Sequence, residues 1–128
     1  DETLNASASH PSVIIWGFLN EADSESEGAR LAHKVLADFA RQRDPTRLVS
    51  WASKRKMDDA TLDLADVISF NDYPGWYDAS VDEIPAVWQK YADWARRQHP
   101  GKPLLMSEAG ADGLAGFRSP QLHSMWSE

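Results

Sequence analysis

Strand-length apolar runs alternate with longer amphipathic stretches along this chain, and that alternation constrains the fold more than any other feature. The runs are Val13–Leu19, Arg47–Trp51, Val67–Phe70 and Leu104–Ser107. A run this short and this apolar is what a strand covered on both faces looks like. Between the runs, Ser24–Arg43 carries Leu31, Ala32, Val35, Leu36, Phe39 and Ala40 on one predicted helical face. Glu25 and Glu27 near its start and Arg41 and Arg43 near its end suit the helix dipole, and Asp44-Pro45 stops it. A short helical stretch is predicted around Met57–Leu64. A longer one over Val81–Gln98 presents Val81, Ile84, Val87, Trp88, Tyr91, Trp94 and Ala95, and His99-Pro100-Gly101 ends it. The remainder, Ala109–Glu128, reads as loop with a terminal helix from Gln121.

A β-α-β-α-β-α-β order with short connections implies parallel strands and right-handed crossovers. Two architectures satisfy it: a small doubly wound sheet, or part of a (β/α)₈ barrel. A complete barrel needs about 250 residues, and the 128 residues present have room for about half of one. The chain reads as a single domain over 1–128, with no internal repeat, linker or low-complexity segment.

Two of the strand-like runs end in a glutamate. Val13-Ile14-Ile15-Trp16-Gly17-Phe18-Leu19-Asn20-Glu21 and Pro103-Leu104-Leu105-Met106-Ser107-Glu108-Ala109-Gly110 both open into small, polar or glycine-bearing loops. The C-terminal end of a strand is where α/β sheets and barrels build their active sites. One such glutamate is as readily a helix cap or a solvated rim residue. Two of them in one chain point to paired acid–base or acid–nucleophile work, of which glycoside hydrolysis is the leading example. Trp16, Phe18 and Leu19 make the approach to Glu21 apolar in sequence, whereas Glu108 has only small neighbours. Asp23 and Asp112 read as helix-start or turn residues, while Asp72 stays undecided.

Charge and composition narrow the partners. Thirteen Lys and Arg against twenty Asp and Glu give a formal net charge of −7, which argues against a phosphate backbone or an anionic membrane as the main partner. No stretch approaches the roughly 18 apolar residues of a membrane-spanning helix. The acidic, polar segment Asp1–His10 is unlike a signal peptide. Cysteine is absent, so thiol nucleophiles and zinc–thiolate sites are excluded. The four histidines, His10, His33, His99 and His123, show no metal-ligand spacing, and the expectation is no metal and no cofactor. The G-x-S-x-G and dinucleotide-binding patterns are missing too. Of the six tryptophans, Trp88 and Trp94 read as core, and Trp76 and Trp126, in or near loops, are candidates for stacking on a sugar face.

These motifs together resemble glycoside hydrolase family 2, which holds β-galactosidases, β-glucuronidases and β-mannosidases. His10-Pro11-Ser12-Val13-Ile14-Ile15-Trp16 leading into Asn20-Glu21 resembles the family's acid/base strand. Asn71-Asp72-Tyr73-Pro74-Gly75-Trp76-Tyr77 resembles the loop after the sixth barrel strand of β-glucuronidases. Ser107-Glu108-Ala109-Gly110-Ala111-Asp112-Gly113-Leu114-Ala115-Gly116 resembles their nucleophile loop, and Met125-Trp126-Ser127-Glu128 continues in the same style.

The resemblance implies a partial (β/α)₈ TIM barrel, roughly strands four to seven with their helices, from a longer enzyme. It implies Glu21 as general acid/base and Glu108 as nucleophile. Asn20 would bond the sugar hydroxyl beside the reacting carbon, Tyr73 would touch the nucleophile, and Asn71 would line the same pocket; Trp76 stays the substrate-binding candidate by stacking. The expected function is a retaining β-glycosidase acting on a terminal β-linked sugar, a β-glucuronide or β-galactoside, with the whole enzyme a homo-oligomer. The alternative is a carbohydrate-binding module without turnover. In a flat sheet, attachment points three strands apart would lie on the order of 14 Å from each other. Retaining chemistry needs carboxylates about 5 to 5.5 Å apart, so barrel curvature is required. Four isolated strands would leave two open edges and an uncovered apolar inner face, predicting an inactive fragment that associates with itself.

Overall fold

The computed structural model describes residues 2–120. The elements follow in the order α1 (Glu2–Ser7), β1 (Ile15–Asn20), α2 (Glu27–Arg43), β2 (Leu48–Ser53), β3 (Ile68–Asn71), α3 (Ile84–Gln98) and β4 (Leu104–Glu108). Single turns of 3₁₀ helix lie at Lys56–Asp58, Leu62–Leu64 and Val81–Glu83. The strands form one sheet in the order β1-β2-β3-β4, every neighbouring pair parallel. A doubly wound sheet reverses its strand order partway. Here each new strand adds on the same side, the winding of a barrel wall, so the barrel alternative holds and the doubly wound one falls.

Local chemistry explains the boundaries. Ser26 caps α2 by accepting from the Ala29 N–H at 3.1 Å, and Asp23 holds the approach by accepting from Glu25 N–H and Ser26 Oγ. The helix therefore begins at Glu27, three residues later than the sequence suggests, and Glu25 stands outside it. Ahead of α3, Ser80 and Glu83 form a reciprocal capping box and Pro85 sits in the first turn. The stretch expected to be helical over Met57–Leu64 resolves into two separate 3₁₀ turns. Helix α1 falls in the segment read only as acidic and polar. The loop after Glu108 contains no helix or strand through residue 120, and the helix expected from Gln121 lies outside the described residues, as do His123 and Trp126.

Two apolar clusters sit between sheet and helices. Ala37, Ala40, Val49, Trp51 and Ala65 form one under α2, with Phe18, Leu19 and Leu64 packed against it. Leu62, Ile68, Phe70, Tyr91 and Ala95 form the other under α3, with Trp88 and Trp94 against it as expected for core tryptophans. The predicted face of α2 requires correction. The helix buries His33, Ala37 and Ala40, while Leu31 and Val35 are 63% and 57% exposed. An apolar stripe marks what a helix can bury, not which neighbour covers it, and the stripe on α2 runs to the flank where β1 leaves the sheet open. There Leu36 and Phe39 line a groove with Leu4, Trp16 and Phe18. Strand β4 is the opposite edge, and Leu105 and Met106 are exposed rather than covered on both faces.

One face of the sheet carries an open groove of about 530 Å³, lined by Gly17, Ser50, Ala52, Ser69 and Ser107, with Ile15 and Leu105 among them. Ser50 Oγ and Ser69 Oγ lie 2.7 Å apart, and Ser50 also donates to Val67 O. Small and hydroxyl side chains, rather than a uniformly apolar surface, suit strands that must curve tightly around a narrow interior.

Candidate active site

Both glutamates emerge at the C-terminal ends of edge strands, and both strands carry one extra residue just before them. On β1 the register runs from Gly17 opposite Ser50 to Asn20 opposite Ala52; on β4 it runs from Met106 opposite Phe70 to Glu108 opposite Asn71. Such a bulge twists the strand and re-aims the side chains that follow. Glu21 then adopts φ 52°, in the left-handed region. That conformation is uncommon outside glycine and asparagine and persists where the surroundings impose it. Its N–H is held by Ala52 O at 2.9 Å.

Asn71 links the two edge strands of the sheet. Its Nδ2 donates to Asn20 Oδ1 at 2.9 Å and to Glu21 Oε1 at 3.1 Å, and its Oδ1 accepts from Ser107 Oγ at 2.7 Å. Because Ser107 accounts for the oxygen, both amide protons face the β1 side, which fixes the orientation of the amide. Beyond it, the Tyr73 hydroxyl donates to Glu108 Oε2 in a short hydrogen bond. That bond comes first among the causes that push the phenol's pKa up to about 12, followed by burial and by the charges of Glu108 and Glu21. Tyr73 therefore feels both carboxylates and keeps its proton at any physiological pH. Both carboxylates thus contact the Asn71–Tyr73 stretch.

Of the residues named from the sequence, Glu21, Asn20, Asn71, Tyr73 and Glu108 meet in this network. Trp76 lies to one side, its ring 5.7 Å from that of Tyr73 in an edge-on contact and 4.1 Å from that of Tyr77. It lines a second groove with Pro74, Met106 and Ala109. The apolar residues before Glu21 do not surround its carboxyl: Trp16 donates its indole N–H to Asp44 at the other end of the sheet, and Phe18 stacks on Trp51 under α2. Ser107 escaped sequence reasoning, although its place one residue before Glu108 was a usable signal. Among the described residues, no group of three or more His, Asp or Glu is placed to hold a metal ion.

The family model for the TIM barrel domain of glycosyl hydrolases family 2 matches residues 1–127. The chain belongs to glycosyl hydrolase family 2. It is similar to the β-glucuronidase of Streptococcus agalactiae, 32% identical over 133 residues that cover 98% of this chain and 21% of that protein. It is also similar to the β-glucuronidase of Paenibacillus borealis, 37% identical over 84% of this chain and 18% of that one. Among solved structures, the β-galacturonidase of Eisenbergiella tayi bound to galacturonate superposes with a TM-score of 0.87 at 34% identity, over 98% of this chain and 22% of that one. The β-D-glucuronidase of Dictyoglomus thermophilum gives 0.78 at 31% identity, over 94% and 21%. This family 2 chain thus spans about a fifth of the length of the relatives it matches.

Proposed function

We propose that this chain is the catalytic segment of a longer retaining β-glycosidase, with Glu108 as nucleophile and Glu21 as general acid/base. In the first step a Glu108 oxygen bonds to the anomeric carbon while the bond to the leaving oxygen breaks, and Glu21 gives that oxygen its proton. In the second step Glu21 takes a proton from water, which attacks the anomeric carbon and releases Glu108 as carboxylate. Tyr73 holds the nucleophile's oxygen by donation, and Asn20 and Asn71 present polar groups to the sugar beside Glu21. The observation that carries the reading is the Asn71 amide, which ties the Glu21 end of the sheet to the strand that bears Glu108.

The substrate we infer is a terminal β-linked sugar, with β-glucuronides and β-galactosides as candidates. Relatives named β-glucuronidase support the first, and a family neighbour described as a putative β-galactosidase supports the second. A panel of aryl β-glycosides on the full-length enzyme, run beside its Glu108→Gln variant, tests class and substrate together. Turnover should collapse in the variant while binding of the preferred sugar survives; undiminished turnover would remove Glu108 from the mechanism. The 128-residue chain alone should show no turnover and should self-associate, because β1 and β4 expose unpaired edges and α2 an uncovered apolar stripe.

A further inference from the structure

Between the two site residues Asn71 and Tyr73 stands Asp72, whose side chain takes no part in the network just described. It is 6% exposed and fully engaged. Lys56 Nζ donates to Oδ1 at 2.7 Å and the Tyr91 hydroxyl to Oδ2 at 2.6 Å, while the Asp72 N–H donates to Glu108 O at 3.2 Å. One residue thus clamps the turn after β2, helix α3 and the end of β4. Burial alone would raise this carboxyl's pKa, yet the bonds from Lys56 and Tyr91 outweigh it and hold the group below its ordinary value, as an anion.

The second observation is Lys56 itself, which sits at φ 54°. Glycine or asparagine would adopt that conformation at less cost, so a lysine there is explained by what its ammonium reaches. Regular pairing between β3 and β4 is broken by the bulge at Phe70/Asn71. Beyond it Asn71 pairs with Glu108 and the Asp72 N–H bonds Glu108 O where the strands end, so the side-chain clamp bears directly on the orientation of Tyr73 over Glu108.

We propose that Asp72, anchored by Lys56 and Tyr91, is a positioning residue that holds Tyr73 and the backbone of Glu108 in the geometry of nucleophilic attack. The inference rests on Glu108 being the nucleophile. A displacement of a fraction of an ångström at a reacting group costs on the order of tenfold or more in rate. The loss should fall on attack by Glu108 and not on proton donation by Glu21.

The test uses the full-length enzyme and a dinitrophenyl β-glycoside of its preferred sugar, whose leaving group departs without acid assistance. Asp72→Asn should lower kcat/KM about tenfold or more on this substrate with inhibition by the free sugar within about twofold, and Lys56→Met should match it, the double variant being no worse than either single one. Lys56→Arg should restore most of the rate. Tyr91→Phe keeps the ring against Phe70 and Trp88 and removes only the hydroxyl, so it decides the matter should Asp72→Asn fail to fold; a loss of about threefold is expected. By contrast, kcat/KM of Glu21→Ala, which reports the first step alone, should fall far less on this substrate than on an alkyl glycoside. If folded Asp72→Asn and Tyr91→Phe keep kcat/KM within twofold of wild type, the clamp serves the fold alone and the proposal is overturned. An active Glu108→Gln variant, measured alongside, would instead sink the functional reading on which it rests.

Discussion

The two ends of the sheet use the same carboxylate chemistry to opposite effect. At the N-terminal ends of the strands Asp44 accepts four hydrogen bonds: from Trp16 Nε1 at 2.9 Å, Thr46 N–H at 3.0 Å, Thr46 Oγ1 at 2.5 Å and Arg47 at 2.5 Å. Arg47 in turn donates to the carbonyls of Ala8, His10 and Val13, tying in the segment before β1. At the C-terminal ends, Glu21 has the Asn71 amide and Glu108 the Tyr73 hydroxyl. A carboxylate saturated with donors is inert and holds structure; one left with open lone pairs in a groove can bind, attack or exchange a proton. The fold saturates Asp44 at one end and leaves Glu21 and Glu108 with open lone pairs at the other, where Asp72 is the exception, engaged by Lys56 and Tyr91.

The sharpest way to break this contrast is to neutralise one carboxylate from each end. Glu108→Gln should cost on the order of 10⁵-fold in kcat with little change in stability. Asp44→Asn should leave kcat/KM of the folded enzyme intact and lower its stability most above about pH 4, the gap to wild type closing in acid. Hydrogen bonds from Thr46 come first among the causes that hold the Asp44 carboxyl well below the ordinary carboxylate range, with Arg47 and Trp16 adding to them. A depressed folded pKa contributes stability that is fully present above the unfolded value of about 4 and is lost as pH falls below it. The wild-type enzyme should therefore inactivate increasingly fast as pH drops from about 4, and the variant, already lacking that contribution, should show a flatter dependence. Equal acid sensitivity in the two would remove Asp44 from the account.

A smaller effect separates the two roles a hydroxyl can play at the mouth. Tyr73→Phe should lower kcat by about 10²-fold, the scale of losing one preorganised donor to a reacting oxygen. Since the phenol titrates near 12, it stays protonated throughout the working range. The alkaline limb of the kcat/KM profile should then sit at the same pH in wild type and variant. A limb that moves on this substitution would mean that the tyrosine itself titrates during turnover.

How much of this was legible in the sequence follows the same division. The alternation of strands and helices and the two strand-end glutamates could be read because each is a local pattern; Asn20, Asn71 and Tyr73 as their neighbours come from the resemblance to family 2. The bonds of Asp72 and the link from Ser107 to Asn71 could not be read. They depend on register across strands, and one extra residue on β1 and one on β4 shift that register where it matters. The exposed stripe on α2 misled for a different reason. Its periodicity reports a surface that some neighbour covers, and in a four-stranded wall the neighbour beyond β1 is missing. Helix α1 has no buried residue at all, so no apolar period announced it.

The smallest expected effect concerns Lys102, at the closed end just before β4. Its ammonium donates to the carbonyls of Leu62, Asp63 and Ala65 at 3.3, 2.7 and 2.5 Å, filling the open end of the 3₁₀ turn that leads into β3. Burial holds its pKa below the ordinary lysine value, which the charges of Asp63 and Asp66 partly offset. Lys102→Met keeps the length of the stem and removes the three donors, leaving carbonyls that water reaches only in part. The expected cost is about 1 to 3 kcal/mol of stability, read as a lower denaturant midpoint for the full-length enzyme, with kcat and KM unchanged. Loss of activity at unchanged stability would show that the closed end communicates with the mouth, and the separation of labour between the two ends would have to be abandoned.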